Sequence, residues 1–187
     1  MSLTPSTMVP LGTLAPDFSL PDLEGKMVSL KDFDGSKAYV IAFICVHCPY
    51  IKHLEKEFSQ IAVEYKEKRI AFIGINSNDP EYDPADGLAG MVEQASRYNF
   101  TFPYLIDKTQ KTAKDYQASC TPDFFVFDKD KKLVYRGQFD DTRPGMGKPT
   151  GDDLKKALDL TLDEGEGVIE DQKPSTGCSI KWANNFD

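Results

Sequence analysis

Two cysteines separated by two residues stand directly after an apolar run and directly before a helical pattern. The run from Tyr39 to Ile44 is rich in strand-forming residues and too short for a typical helix, so it predicts a buried strand. Cys45 and Cys48 follow, and Pro49 opens a segment in which apolar residues recur at helical spacing. A thiol pair at a strand-to-helix junction constrains the fold more than any other feature of the chain.

The other apolar patterns also alternate between strands and helices. Further strands are expected near 18–20, 27–30, 69–75, 104–106, 124–127 and 133–135, and helices near 49–65, 87–98, 109–116 and 150–162. Thr150 is the predicted cap of the last helix. The order predicts an α/β fold with a central sheet covered by helices and an N-terminal hairpin.

The chain of 187 residues fits one domain with extensions. We expect an irregular lead-in over 1–13, a redox domain over 14–163 and a C-terminal tail over 164–187. A chain of this length buries a sizeable core, so its four cysteines are not needed as structural staples.

The net charge of −8 disfavours two classes of partner, because it repels phosphate backbones and anionic lipids. We therefore expect no nucleic-acid and no membrane partner. No apolar stretch reaches the length of a spanning helix, and the first residues lack a signal-peptide pattern. A cytoplasmic location is expected, where paired cysteines serve redox or metal chemistry.

The thiol pair has a direct chemical interpretation. A helix N-terminus carries unpaired N–H groups and partial positive charge, and in such motifs a thiol pKa falls from ~8.5 to between ~3.5 and ~7.5. After the thiolate of one cysteine attacks a substrate disulfide, the second cysteine can attack the mixed disulfide and release the substrate. His47, between the cysteines, would stabilise the thiolate further if protonated.

A zinc site is the rival interpretation, with Cys45, Cys48, His47 and His53 as ligands. His47 would be squeezed between two other ligands, and the chain has no second Cys-X-X-Cys. Thiol-disulfide chemistry without a bound metal or other cofactor is therefore favoured.

A second motif supports this interpretation. Thr121-Pro122 stands just before an apolar strand, and proline tolerates the cis peptide bond that marks specific backbone shapes. Cys120 precedes it, and is either near the reactive pair or a small buried residue. Two roles are open for Cys178, in the tail. Either the tail brings it to the active site as a third thiol, or the tail docks on the domain and its cysteine has no chemical role.

Together these motifs resemble the thioredoxin superfamily over roughly residues 14–163. More closely, the chain resembles the redoxin group related to the alkyl hydroperoxide reductase and thiol-specific antioxidant family. The matching segments are Ala15-Pro16-Asp17-Phe18, Leu30-Lys31-Asp32-Phe33, Cys45 to Pro49, Thr121-Pro122 and Gly137.

The resemblance implies a thioredoxin-like fold, a central mixed sheet flanked by helices, and a role in cellular redox homeostasis. Cys45 would attack the substrate disulfide, and Cys48 would resolve the mixed disulfide. Thr121 and Pro122 would line a groove in which an extended substrate pairs with the backbone of Thr121. The expected substrates are protein or small-molecule disulfides, with peroxides as an alternative, and the electron donor is left unidentified. The buried acid of thioredoxins is replaced by Tyr39, so proton transfer must use another group.

Two alternatives stay open. Peroxiredoxins use Pro-X-X-X-Thr-X-X-Cys; in that register Cys48 would attack peroxide and Cys45, at the threonine position, would resolve the sulfenic acid. The opening proline is absent, since Ile41 stands there. The second alternative is a binding module that keeps the fold and holds a partner near Pro122 without catalysis.

Overall fold

The structure is a computed structural model that describes residues 3–163 and 169–183. The strands in these ranges are β1 (Leu3–Pro5), β2 (Ser19–Pro21), β3 (Met27–Ser29), β4 (Ala38–Phe43), β5 (Ile70–Asn76), β6 (Tyr104–Ile106), β7 (Cys120–Thr121), β8 (Asp123–Asp128), β9 (Leu133–Gly137) and β10 (Thr176–Ser179). The helices are α1 (Pro49–Lys66), α2 (Leu88–Arg97), α3 (Lys111–Asp115) and α4 (Asp152–Leu162), with 3-10 turns at Leu30–Phe33 and Pro84–Asp86. Within the described ranges, no helix has the length and apolar character needed to cross a bilayer.

A five-stranded mixed sheet with the order β6-β5-β4-β8-β9 forms the centre of the fold. β4, β5 and β6 are parallel, whereas β8 runs antiparallel to β4 and β9 antiparallel to β8. β2 and β3 form the predicted N-terminal hairpin. The α/β class and the mixed central sheet flanked by helices are as the sequence predicted.

β4 lies in the middle of the sheet because both of its faces are apolar. Val40 and Ala42 belong to the core that contains α1 and α4, whereas Tyr39, Ile41 and Phe43 belong to the core on the opposite face. All six residues of β4 are buried, as expected for a strand covered on both faces. The carboxyl end of β4 therefore delivers the next residues to the interior.

α1 begins where the sequence predicted, at Pro49. Proline suits the first helical position because its missing N–H has no helical partner there. The apolar positions of the helix face the sheet and are buried: Ile51, Leu54, Phe58, Ile61 and Tyr65. Cys48 is the N-cap residue, so its side chain lies at the positive end of an 18-residue helix.

The predicted irregular lead-in contains a strand. β10, from the tail, pairs antiparallel with β1 on one side and with β7 on the other. The predicted tail segment 164–187 begins and ends outside the described residues, and its middle part is this strand and its flanks. The ends of the described chain therefore meet beside the junction of β7 and β8.

The cap of α4 differs from the prediction. Gly151, in the left-handed region at φ 67°, is the N-cap residue, and Thr150 lies one position earlier. The carboxylate of Asp140 accepts hydrogen bonds from the backbone N–H groups of both, at 2.6 and 2.8 Å. Asp140 thus fixes the backbone just before the helix, and the first-turn N–H group of Leu154 donates to the Phe139 carbonyl oxygen at 3.2 Å where the sequence had assigned a cap to the Thr150 hydroxyl.

Candidate active site

Cys48 has the setting of a stabilised thiolate. Its pKa falls from 9.0 to about 5, chiefly because the Cys45 thiol donates a hydrogen bond to it. The Cys178 thiol and the backbone N–H of Ile51 contribute in the same direction, while burial opposes the shift. The Ile51 N–H is one of the unpaired donors of the helix N-terminus, so the strand-to-helix junction itself supports the charge.

Cys45 has the opposite setting. It is fully buried beyond the end of β4, and burial raises its pKa well above the usual value. The hydrogen bond to Cys48 and the negative charge of Asp86 raise it further. The Thr121 hydroxyl lies 3.2 Å from the Cys45 sulfur and opposes these effects. Burial and the nearby carboxylate thus disfavour a negative charge on Cys45, whereas the start of the helix favours one on Cys48.

This charge distribution differs from the roles that the resemblance implied, in which Cys45 attacks. The physical reason is the position of the helix start. α1 begins after Cys48, so the N-terminal amides favour that sulfur, while Cys45 lies in apolar surroundings near a carboxylate. The geometry favours Cys48 as the nucleophile.

Thr121 and Pro122 meet the cysteine pair, as the sequence predicted, and the peptide bond between them is cis. The Thr121 carbonyl oxygen lies 3.3 Å from the Cys48 sulfur. The edge along Thr121 is not open, because Cys178 of β10 pairs with Thr121 and Ser179 pairs with Cys120. The chain's own tail thus occupies the groove predicted for an extended substrate.

His47 faces Asp86 through a contact that sequence analysis did not predict. Asp86 Oδ1 accepts hydrogen bonds from the backbone N–H groups of Val46 and His47 at 2.7 and 3.1 Å, and its Oδ2 lies 2.5 Å from His47 Nδ1. Asn78 donates to the same Oδ2 at 2.8 Å. Asp86 therefore fixes the backbone between the two cysteines.

Sequence analysis missed Asp86 because it lies in a proline-rich loop that has no periodic pattern. No motif of recognisable spacing links it to the two cysteines. Gln94 in α2 and Glu55 in α1 were missed because helical periodicity identifies apolar core positions and does not identify buried polar ones. The Gln94 side chain donates to the Cys45 carbonyl oxygen at 3.1 Å and to the Glu55 carboxylate at 2.7 Å, and both residues are buried. These contacts join α1 and α2 behind the thiol pair.

The four residues of the zinc interpretation do not converge. His53 Nε2 lies 2.8 Å from the Thr142 hydroxyl. The described residues instead bring ligand atoms of Cys45, His47 and Asp86 within 4.8 Å of one another. His47 Nδ1 is already engaged by Asp86, so this group forms a hydrogen-bonded cluster beside the thiol pair.

The two remaining cysteines have different surroundings. The Cys120 thiol donates to the Pro122 carbonyl oxygen at 3.5 Å, and burial raises its pKa. Cys178 reaches the reactive pair, since its sulfur lies 2.9 Å from that of Cys48. All four thiols are buried, with Cys178 the most exposed at 2%. The site is therefore closed while the tail is docked.

A groove of about 1090 Å³ runs between the second 3-10 turn and the tail, beside the closed site. Asp86 and Met91 line one wall, and Lys181 and Trp182 line the other. The groove reaches the carboxylate that holds His47.

Comparison with known proteins gives a consistent result. A sequence model described as the AhpC/TSA family matches residues 11–136. The thiol-disulfide oxidoreductase ResA of Bacillus anthracis is 34% identical over 127 residues, which cover 66% of this chain and 67% of that protein.

Solved structures extend the similarity to nearly the whole chain. The crystal structure of an uncharacterized conserved protein from Geobacillus kaustophilus is 49% identical, with a TM-score of 0.94 and 98% coverage of both chains. A putative thiol:disulfide interchange protein DsbE from Chlorobium tepidum is 20% identical, with a TM-score of 0.65, 83% coverage of this chain and 99% of that one. The latter similarity establishes the thioredoxin-like fold.

Proposed function

The chain belongs to the AhpC/TSA family, and we propose that Cys45 and Cys48 are the dithiol through which it acts. It is a thiol-disulfide oxidoreductase, the activity for which its ResA relatives are named. The observation that carries the proposal is the Cys48 sulfur at the N-cap of α1, with a pKa of about 5 and the Cys45 thiol donating to it.

The exchange begins with the Cys48 thiolate, which attacks one sulfur of a substrate disulfide. The disulfide bond breaks, one substrate thiolate leaves, and the other substrate sulfur stays joined to Cys48. Cys45 then loses its proton and attacks the Cys48 sulfur. The second substrate sulfur leaves as a thiolate, and the Cys45–Cys48 disulfide holds the oxidising equivalents. The reverse sequence oxidises a dithiol.

Asp86 supplies the proton acceptor that the sequence lacks at Tyr39. Its carboxylate lies within 4.8 Å of the Cys45 sulfur, a distance that one water molecule or the His47 imidazole can bridge. The Thr121 hydroxyl, 3.2 Å from the same sulfur, stabilises the Cys45 thiolate as it forms. His47 and Thr121 thus act on the resolving thiol.

Protein disulfides are the proposed substrates, and a separate redox partner supplies or removes electrons. The large groove beside Asp86 offers room for a polypeptide or a small disulfide. We also propose a cytoplasmic location, as the sequence led us to expect, and an antioxidant role, because the chain belongs to the AhpC/TSA family.

Peroxide reduction is a second candidate, favoured by the position and charge of Cys48. A thiolate at the first turn of a helix is the group that would attack a peroxide, with Cys45 resolving the sulfenic acid. The Thr121 hydroxyl faces Cys45, however, and not Cys48. Trapping a sulfenic acid on Cys48 during fast peroxide consumption would establish the peroxidase in place of disulfide exchange.

Reduction of insulin disulfides by dithiothreitol tests the proposal. We expect Cys48→Ser to lower the catalysed rate by about 100-fold or more, because a serine hydroxyl does not replace the thiolate nucleophile. Cys45→Ser/Cys178→Ser, which removes both thiols that lie beside Cys48, should accumulate a mixed disulfide on Cys48. Cys120→Ala is the matched control, since it removes a buried thiol outside the pair and should keep the wild-type rate. A wild-type rate in Cys48→Ser would contradict the proposal, whereas the absence of any catalysed reduction by the wild-type protein would favour the binding module.

A further inference from the structure

The tail strand presents a third thiol to the reactive pair. Cys178 stands opposite Thr121 in the antiparallel pairing of β10 with β7. Its sulfur lies 2.9 Å from the Cys48 sulfur, longer than a disulfide bond of ~2.05 Å and within hydrogen-bonding reach of a thiol and a thiolate. The two sulfurs are 130 residues apart in the chain, so tertiary structure alone brings them together.

The residues around Cys178 hold it in this place. A Cβ atom at Gly177 would lie 2.0 Å from the Thr121 carbonyl oxygen, so only glycine permits the close approach of the two strands. The Ser175 hydroxyl donates to the Pro122 carbonyl oxygen at 2.6 Å, before the cysteine. After it, the Lys181 backbone N–H donates to the Asn78 side chain at 2.9 Å. Contacts on both sides therefore fix the cysteine against Cys48.

The charge state of the pair suits exchange. Burial and the neighbouring Cys48 raise the pKa of Cys178 to about 12, whereas the Cys178 thiol helps to lower that of Cys48. A protonated Cys178 thus lies beside a Cys48 thiolate. Cys45 stands in the same relation to Cys48, so two thiols compete to resolve any disulfide formed there.

We propose that Cys178 is a second resolving thiol, which forms a disulfide with Cys48 and makes the tail strand a tethered partner of the active site. This inference rests on the proposed function, because the oxidant is the substrate disulfide. After the Cys48 thiolate has displaced one substrate sulfur, Cys178 attacks the Cys48 sulfur and transfers its proton to the second substrate sulfur. Both substrate sulfurs are then reduced, and Cys48 and Cys178 are oxidised by the same two electrons.

Because the docked tail closes the site, resolution by Cys178 is linked to movement of the tail. A substrate reaches Cys48 only when the tail leaves the Thr121 edge, because Cys48 is fully buried while β10 is docked. The return of β10 brings Cys178 back to Cys48 and displaces the substrate from the same edge. Resolution by Cys178 is thus coupled to release of the product.

Disulfide mapping of the Cys45→Ser variant after treatment with oxidised glutathione tests the inference. Trypsin leaves Cys45 and Cys48 in one peptide, 38–52, and Cys178 in another, 157–181. We expect Cys45→Ser to yield these two peptides joined by a Cys48–Cys178 disulfide. In Cys45→Ser, glutathione should leave Cys48 at least about 10-fold faster than it does in Cys45→Ser/Cys178→Ser. Adding Cys120→Ala to Cys45→Ser is the control and should change neither result.

A Cys45→Ser protein that keeps glutathione on Cys48, at the rate of the double variant, would overturn the role of Cys178. The proposed function is tested separately by Cys178→Ser, which should form the Cys45–Cys48 disulfide within peptide 38–52. If Cys178→Ser fails to form it while Cys45→Ser forms the Cys48–Cys178 bond, the assignment of the reactive dithiol is wrong and Cys178 retains its role.

Discussion

The carboxylate of Asp86 and the Nδ1 atom of His47 lie 2.5 Å apart, and Asp86 also binds the backbone N–H groups of Val46 and His47. His47 Nε2 is buried and has no hydrogen-bond partner among the described residues. The cluster lies on the side of Cys45 and not of Cys48. Its chemical effect therefore falls on the resolving thiol.

Asp86→Asn should slow the resolving step by about 100-fold at neutral pH, because proton removal from Cys45 loses its acceptor. The rate should also depend more steeply on pH, since hydroxide must replace the carboxylate. Single-turnover release of glutathione from Cys48, measured in a Cys178→Ser background so that Cys45 alone resolves it, measures both effects. Glu81→Gln, an exposed acid in the same loop, should behave as wild type. An unchanged rate and pH profile in Asp86→Asn would exclude Asp86 as the proton acceptor.

Thr121→Val should slow the same step about 3- to 10-fold. The change keeps the side-chain shape and removes one hydrogen bond to the Cys45 sulfur, worth about 0.5–1.5 kcal/mol. The effect should fall on resolution, with the initial attack by Cys48 unaltered. Thr161→Val, which removes a hydroxyl contact within α4, is the control. Equal rates for both variants would remove the Thr121 hydroxyl from the mechanism.

The lowered pKa of Cys48 predicts how stability depends on pH. Because the folded pKa of about 5 lies below the ordinary 9.0, the thiolate stabilises the folded state fully above pH 9. That stabilisation declines as pH falls and is lost below about 5. Urea unfolding under reducing conditions should show the difference between wild type and Cys48→Ser shrinking from pH 9 to pH 5.

Cys120→Ala provides the control for this titration. Burial raises the pKa of Cys120 above its usual value, so its thiol stays protonated in both states below about pH 9. The free energy of unfolding of Cys120→Ala should therefore differ from that of wild type by a constant amount between pH 5 and pH 9. Over the same range the difference for Cys48→Ser should change. A constant difference for Cys48→Ser as well would contradict a folded-state thiolate at Cys48.

A buried ion pair next to the cis proline predicts a large loss of stability. Arg136 Nη2 lies 3.0 Å from the Asp123 carboxylate, and both side chains are fully buried. Arg136→Met should lower the free energy of unfolding by about 3–5 kcal/mol, because it leaves Asp123 without its partner. Lys111→Ala, in an exposed pair with Asp115, should change it by less than about 0.5 kcal/mol. A loss below about 1 kcal/mol in Arg136→Met would show that Asp123 is neutral in the folded protein.

Elements with a local signal were predictable. The apolar run at Tyr39–Ile44 became β4 (Ala38–Phe43), and the helix start at Pro49 is as predicted. Both follow from short-range periodicity and from the backbone preference of proline. The reactive motif and the Thr121-Pro122 step could be paired because both stand at strand ends, where a shared sheet brings them together.

Features that depend on distant partners were not predictable. β10 (Thr176–Ser179) lacks apolar alternation and becomes a strand only between β1 and β7. Asp86 reaches the site from a loop about 40 residues beyond the cysteines. Which cysteine carries the charge also depends on the burial of Cys45 and on the Asp86 carboxylate near it, and both arise only from tertiary structure.

Redox titration of the Cys178→Ser variant in glutathione buffers, with free thiols alkylated and counted by mass spectrometry, tests whether Cys45 and Cys48 form one reactive dithiol. We expect Cys45 and Cys48 to lose their alkylation together, in one two-electron transition that forms a disulfide within peptide 38–52. Separate oxidation of the two cysteines, or accumulation of glutathione on Cys48 without that disulfide, would contradict it.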